Sequence, residues 1–222
     1  MSHHESQAKG LDGRMVDRML FFSDAVFAIV LTIMVLEMHA PLFSEAATNE
    51  TIWHHVGEMW HIIFAYLISF ALVGMWWTIH MRVTRSLHQF DWLTAIFNLV
   101  FLLTVSLTPF AASVLGEAIG AGAAWQIYWG VNAASSLSLT LLFIVVSRDH
   151  GRLLGGTMTG RERLARIVQS IGPGLGFSVG VYLAGIGEVG LSRWCWLVIP
   201  PVMAIARVIY GNAKPRVESE AA

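Results

Sequence analysis

The chain has 222 residues, of which 55% are hydrophobic and 13% charged, and its mean hydropathy is +0.61. These values exclude an ordinary soluble globular domain and indicate a membrane protein. The formal net charge of -1 argues against nucleic acid as a partner, because nucleic-acid-binding domains are usually strongly basic. A single cysteine, Cys195, excludes an intrachain disulfide.

Six apolar stretches are long enough to cross a membrane as α-helices, each of which needs about 20 mostly apolar residues. A transmembrane β-barrel is excluded because Ile62–Trp77 and Leu137–Val146 are almost continuously apolar rather than alternating. The sequence therefore predicts an all-α polytopic membrane protein with six transmembrane helices. The predicted spans are residues 17–38, 58–80, 91–115, 124–147, 166–187 and 192–211.

The basic residues orient these spans, because Lys and Arg concentrate in cytoplasmic connections. Of the 14 basic residues, all but Arg193 fall on one side. Both termini are therefore predicted to be cytoplasmic, with a leader over 1–16, a transmembrane domain over 17–211 and a tail over 212–222. A cleaved signal peptide is the alternative for the first span, but its apolar run, Met19–Leu36, exceeds the usual length of about 7–15 residues.

The first predicted span contains an ionisable residue, Asp24. A carboxylate inside a span costs at least about 2.5 kcal/mol and is a functional-site candidate that requires a partner. The equally weighted alternative is a satisfied polar network that fixes helix assembly without touching a substrate. Arg18 lies six residues earlier, and residues at that spacing do not meet on one helix, so each charge needs partners elsewhere.

The first helix also carries a narrow stripe of side chains on one face. Asp24 points about 140° away from Ile29 at 100° per residue, so Asp24 is expected to face neighbouring protein while the stripe faces something else. Asp24 is therefore a poor pore-lining candidate. Ordinary helix packing at heptad-like spacing is the alternative interpretation of the stripe. The stripe comprises Arg18, Phe22, Ala25, Ile29, Thr32 and Leu36.

Partners for Asp24 are expected at the same depth on the next two spans. The second span ends with Trp76, Trp77 and His80, and the third rises past Asn98. The two tryptophans are equally well explained as an interfacial aromatic belt. His80 is either solvated at a helix end or, one turn from Trp77, a donor to Asp24.

The segment Arg18-Met19-Leu20-Phe21-Phe22-Ser23-Asp24 resembles the R-x-x-x-F-S-D motif on the first helix of the transmembrane protein 175 family, and the match is complete. Members of this family are potassium-permeable channels, with two six-helix repeats per chain in animals and one repeat, assembled as a homotetramer, in prokaryotes. The resemblance implies a single-repeat channel in a prokaryotic plasma membrane. Its partners would be potassium ions and membrane lipid, with no cofactor.

The resemblance also implies roles for individual residues. The first helices of four subunits would line the pore, with its constriction at Ile29, Thr32 and Leu36, which belong to the stripe. No T-V-G-Y-G loop occurs, so a hydrophobic constriction of modest selectivity is expected instead of a backbone-carbonyl filter. The residues implied to hold the pore helix to its neighbours are Arg18, Phe22, Ser23 and Asp24, with Trp77 and His80 on the second helix.

Two polar features lie outside this set. His54, Glu58 and His61 have the i, i+4, i+7 spacing that places three metal ligands on one helix face. No fourth ligand is evident, so a polar helix rim is favoured and no metal site is predicted. Glu37 follows Leu36 and either raises the cation concentration at the pore mouth or lies at a solvated helix end.

No enzyme motif is present, neither G-x-S-x-G nor H-E-x-x-H nor a Walker lysine, so the chain is not expected to be an enzyme. The main alternative to a channel is a secondary transporter that uses Asp24 as a coupling carboxylate, although no internal repeat is detected. A third possibility is a non-conducting helical bundle. Asp24→Asn should abolish coupling in a transporter but chiefly impair assembly in a channel.

Overall fold

The computed structural model describes residues 3–39, 48–85, 87–89, 91–148, 153 and 159–211. Within these residues the regular structure is helical, which confirms the all-α prediction. The helices are α1 (His3–Leu36), α2 (Asn49–Glu58), α3 (Trp60–Thr84), α4 (Trp92–Ser106), α5 (Thr108–Glu117), α6 (Gly122–Val146), α7 (Gly160–Gly185), α8 (Val189–Ser192) and α9 (Ile199–Gly211), with a 3₁₀ turn at Cys195–Val198.

Five stretches in the described part of the chain are long and apolar enough to cross a membrane, and they coincide with the first five predicted spans. The sixth predicted span, 192–211, corresponds to a shorter apolar segment, Cys195–Ile209, so the count of six remains a prediction. Helix α1 starts at His3 and includes most of the predicted leader. The five long stretches are Gly13–Leu36, Trp60–Thr84, Trp92–Glu117, Gly122–Val146 and Gly160–Gly185.

The third span is two helices rather than one. Helix α4 ends at Ser106, Leu107 forms a turn, and α5 begins at Thr108. Pro109 lies in the first turn of α5, where a residue without a backbone N–H is tolerated. In the interior of one continuous helix, the same proline would remove a backbone hydrogen bond. The break therefore follows from one residue that the span prediction treated as part of an apolar run.

The sixth segment is also irregular, and glycines on α7 explain how it packs. A Cβ atom at Gly172 would lie 2.5 Å from the Val202 side chain, so this glycine lets α9 approach the α7 backbone. At Gly180 a Cβ would lie 2.7 Å from the Trp129 ring of α6. Gly172 and Gly180 therefore allow α7 to pack closely against α9 and α6.

The core is centred on α6, which packs against α4, α5 and α7. The rings of Trp129 and Phe177 are stacked with centroids 5.1 Å apart and an interplanar angle of 8°. Buried polar groups there are paired: Ser69 and Tyr128 share a hydrogen bond of 3.0 Å between their hydroxyl oxygens. This pairing removes the cost of leaving polar groups unsatisfied in an apolar interior.

The basic connections meet at one end of the bundle. Asp91 caps α4 by accepting a hydrogen bond from the Thr94 backbone N–H, and its other oxygen lies 3.0 Å from Arg148 at the end of α6. The Arg166 guanidinium donates to the Arg82 carbonyl at 3.4 Å. These contacts join the connections that the charge distribution assigns to the cytoplasmic side. The orientation itself and the cytoplasmic termini remain predictions.

Candidate functional site on the first helix

Helix α1 has one face buried against α3, α4 and α5 and another face exposed. The buried face is formed by Ser23, Phe27, Val30 and Met34, each less than 5% exposed. Arg18, Phe22, Ala25, Ile29, Thr32 and Leu36 are all exposed, with Ile29 at 54% and Leu36 at 71%. The predicted stripe therefore lies on the side of α1 that the rest of its own chain leaves uncovered.

Thr32 is the hydroxyl-bearing residue between the apolar side chains of Ile29 and Leu36. Its Oγ1 lies 2.9 Å from the carbonyl oxygens of Ala28 and of Ile29, so the hydroxyl hydrogen is donated to the helix backbone. The lone pairs of Oγ1 remain available to accept. This side chain therefore presents oxygen, rather than an O–H donor, to whatever lies beside the exposed face.

Asp24 is tied to α3 through Trp77. The indole Nε1 donates to Asp24 Oδ1 at 3.0 Å. Asp24 is nevertheless exposed and Trp77 is 37% exposed, so this contact lies at the edge of the bundle. Asp24 lies outside the stripe, as its helical angle predicts, but it also lies outside the buried face that was expected to hold it.

Ser23 belongs to a separate, buried chain of hydrogen bonds. His80 Nε2 lies 2.8 Å from Asn98 Oδ1, Asn98 Nδ2 donates to Ser23 Oγ at 2.9 Å, and Ser23 Oγ donates to the Met19 carbonyl at 2.9 Å. Because an amide oxygen only accepts, His80 carries its hydrogen on Nε2. His80 therefore donates to Asn98 and not to Asp24, and the proposed His80–Asp24 hydrogen bond is wrong.

Aromatic rings enclose His80. The imidazole stacks on Phe101 at a centroid distance of 5.5 Å and lies 5.8 Å from Phe27. It is 1% exposed, so a solvated histidine at the helix end is also excluded. The sequence analysis considered Asn98 only for its depth, although an isolated Asn within an apolar span was itself a signal of a polar contact. It did not identify Phe27 or Phe101 as neighbours of His80.

The two tryptophans at the end of α3 have different surroundings. Trp76 is completely buried and its indole donates to Asn132 of α6 at 3.2 Å. It belongs neither to an interfacial belt nor to the Asp24 contact. Of the two indole N–H groups, that of Trp77 is the one that donates a hydrogen bond to α1.

The four motif residues also divide into two kinds. Ser23 and Asp24 contact other helices, whereas Phe22 is 53% exposed. Within the described part of the chain, Arg18 has no ion-pair or hydrogen-bond partner. Inside one chain, four of the six predicted network residues make contacts between helices, in two separate groups: Asp24 with Trp77, and Ser23 with His80 through Asn98. The role of all six in holding a pore helix remains a prediction.

An open cavity of about 410 Å³ separates the Leu36 end of α1 from α4 and α5. Its walls are mainly apolar and include Ile29, Ile33 and Phe110. Glu37 lines it and is half-buried. The mouth role of Glu37 remains a prediction.

A helix boundary interrupts the face predicted to carry His54, Glu58 and His61. Helix α2 ends at Glu58 and α3 begins at Trp60, so the seven-residue spacing crosses a helix boundary. His61 Nδ1 donates to the Gly116 carbonyl at 2.6 Å and joins α3 to the end of α5. His54 and Glu58 remain neighbours on α2, with 3.7 Å between Nδ1 and Oε1.

These features define the class of the protein, a multi-pass α-helical membrane protein whose edge helix exposes an apolar face. A family model described as "Endosomal/lysosomal potassium channel TMEM175" matches residues 18–109, which begin at the motif and include every predicted site residue. Over these residues the chain is similar to the TMEM175 family. The bacterial relatives below indicate a prokaryotic plasma membrane as its location.

A potassium channel of Chamaesiphon minutus is 27% identical over 195 residues, covering 86% of this chain and 93% of the relative. A potassium channel of Streptomyces collinus is 29% identical over 122 residues, or 55% of this chain, and the match spans 58% of that relative's length. The mouse "Endosomal/lysosomal proton channel TMEM175" is 31% identical over 99 residues, covering 44% of this chain and 19% of the relative.

A solved structure shares the fold. The crystal structure of a lysosomal potassium-selective channel TMEM175 homolog from Chamaesiphon minutus superposes with a TM-score of 0.67 at 22% identity, covering 91% of this chain and 100% of that one. The named family members are channels, a class without catalytic activity.

Proposed function

We propose that the chain is one subunit of a homotetrameric channel that conducts potassium passively, with α1 lining the pore. The observation that carries the proposal is the uncovered face of α1, on which Ile29, Thr32 and Leu36 lie opposite the buried face. The potassium channels of Chamaesiphon minutus and Streptomyces collinus support potassium as the permeant ion.

The charges on α1 support a protein or aqueous environment for its exposed side. Arg18 and Asp24 are both exposed within the single chain. A charged side chain facing lipid near the bilayer centre costs about 2.5–3.5 kcal/mol. Assembly of four copies around one axis removes these groups and the stripe from lipid together.

The continuity of the α1 helix favours a constriction made by side chains over one made by backbone carbonyls. The helix is continuous from His3 to Leu36, so its carbonyl groups are bonded within the helix and do not replace an ion's hydration shell. Rings of Ile29 and Leu36 would narrow the pore by excluding water. Four Thr32 oxygens between those rings would then accept a partly dehydrated cation.

The two contacts near the motif would hold α1 at the angle this arrangement requires. The Trp77–Asp24 hydrogen bond and the His80–Asn98–Ser23 chain meet α1 on successive residues. Adjacent residues point about 100° apart, so together they fix the rotation of the helix about its axis. That rotation decides which side chains face the pore.

Ion flux through the purified protein in liposomes tests the function. Potassium and sodium gradients are applied separately to wild type and to Ile29→Ala. We expect passive potassium flux without a second ion gradient. Removing the larger side chain widens the proposed ring, so Ile29→Ala should raise the flux or reduce the preference for potassium over sodium.

Ile96→Ala is the matched control, because Ile96 on α4 is 53% exposed and Ile29 is 54% exposed. Its flux should equal that of wild type. Equal effects of the two substitutions would place the constriction elsewhere. Uptake that requires a proton or sodium gradient, and that Asp24→Asn abolishes, would instead identify a transporter. Absence of any flux would favour a non-conducting bundle.

The assembly is tested independently of conduction. Chemical cross-linking of the protein in membranes should yield species up to four chains and no larger. Because Arg18 is exposed on α1, Arg18→Ala should reduce the cross-linked tetramer. A wild-type product that ends at two chains would contradict the tetramer while leaving conduction to be judged by flux.

A further inference from the structure

Three side chains able to bind a transition metal lie together on α2, outside the site on α1. They are His54, His55 and Glu58, and their ligand atoms all lie within 4.8 Å of one another. The closest measured pair is His54 Nδ1 and Glu58 Oε1, 3.7 Å apart across one helical turn. The cluster differs from the face that sequence spacing indicated, because His55 takes the place of His61.

The backbone already sets the protonation of one ligand. His55 Nδ1 lies 2.8 Å from the Thr51 carbonyl oxygen, which only accepts, so the hydrogen of the neutral ring is on Nδ1. Nε2 then keeps the lone pair that a metal requires. Metal-binding histidines commonly donate their other ring N–H to a backbone carbonyl in this way, which fixes the tautomer and the ring orientation.

The helix that carries the cluster is held at its first turn. The Thr48 hydroxyl accepts from the Thr51 backbone N–H at 3.2 Å and lies 2.9 Å from the Thr51 hydroxyl. Thr51 therefore links the helix cap to the His55 ring. The cluster is thereby connected to the N-terminal cap of a ten-residue helix.

Two of the three ligands are exposed and His55 is half-buried. The side chains of His54 and Glu58 are 69% and 63% exposed. Among the described residues, no Lys or Arg forms an ion pair with Glu58. A metal ion held by His54 and Glu58 therefore displaces water and the long contact between these two side chains.

We propose that His54, His55 and Glu58 form a binding site for a divalent transition metal of the Zn²⁺ type. Two imidazoles and one carboxylate suit such an ion, with water at the fourth position of a tetrahedron. Ligand distances of about 2.0–2.2 Å require the three groups to draw together by side-chain rotation. Mg²⁺ and Ca²⁺ prefer oxygen ligands and should bind far more weakly. This site is independent of the proposed conduction.

Titration calorimetry with Zn²⁺ on the purified full-length protein in metal-free detergent buffer tests the proposal. His3 and His4 are replaced by alanine throughout, so that they cannot contribute binding. We expect one Zn²⁺ per chain, and at least tenfold weaker binding in both His54→Ala and Glu58→Gln. A large excess of Mg²⁺ should not displace the bound ion.

His88→Ala is the matched control, since His88 is an exposed histidine away from α2. It should bind Zn²⁺ as the parent does, and the helical circular dichroism measured in parallel reports that each variant is folded. Unchanged binding in His54→Ala, or loss of binding in His88→Ala, would overturn the proposal. A loss in His61→Ala with His55→Ala unaffected would overturn this ligand set in favour of the face predicted from spacing.

Discussion

Helix α6 and helix α1 differ in how much of each is covered by its own chain. In their most apolar 18-residue windows, 56% of α6 is buried and only 22% of α1. Helix α6 packs aromatic rings on α7 and pairs its polar groups inside the bundle, whereas α1 makes its polar contacts near its middle and exposes an apolar face. The comparison indicates that α6 stabilises the single chain, while α1 is left to interact with other molecules.

The largest expected effect would come from disrupting the α6 region. Trp129→Ala should lower the free energy of unfolding by about 3–5 kcal/mol, because it leaves a cavity beside Phe177. The substitution also removes the hydrogen bond from the indole to Ser192. Equilibrium unfolding in mixed micelles measures the change. Trp53→Ala is the control, because Trp53 is 74% exposed, and it should stay within about 0.5 kcal/mol of wild type. Equal losses would contradict the central role of α6.

An intermediate effect is expected from the anchor of α1. Asn98→Ala leaves the His80 donor and the Ser23 hydroxyl without their shared partner, which should cost about 1–3 kcal/mol. Backbone hydrogen exchange should accelerate in α1 more than in α6. Ser106→Ala on the same helix removes an exposed hydroxyl and serves as control. If exchange rose equally in α1 and α6, the two regions would not be separable as the comparison requires.

The smallest effect should come from the contact at the edge of the bundle. Trp77→Phe removes the indole N–H that reaches Asp24 and keeps an aromatic ring, so the free energy of unfolding should fall by about 1 kcal/mol. Trp60→Phe provides the reference, since Trp60 is 57% exposed. A loss larger than that of Asn98→Ala would make Asp24, rather than Asn98, the main attachment of α1.

Periodicity along one helix was enough to predict which side of α1 its own chain leaves uncovered. The 100° step separates Ile29 from Phe27 and Met34 whatever the neighbours are. The order and approximate extent of the first five spans followed equally well from runs of apolar residues. These predictions succeed because each depends on a property of a single helix.

The partners across helices were less predictable, because they depend on the depth and rotation of two elements at once. His80 reaches Asn98 and not Asp24 for this reason. The predicted third span runs through Pro109, where the structure has a break between α4 and α5. The boundary at Met59 likewise separates His61 from His54, so a seven-residue spacing that assumes one helix does not apply.

The position of the polar contacts determines how far the C-terminal end of α1 moves when the helix tilts. Ser23 and Asp24 attach it near its middle by hydrogen bonds, while Val30 and Met34 pack by apolar contact nearer its C-terminal end, beside the open cavity. From Asp24 to Leu36 the arm is about 18 Å long at about 1.5 Å per residue. A tilt of α1 by about 10° about Asp24 would therefore displace Leu36 by about 3 Å, without breaking a described hydrogen bond between α1 and the bundle.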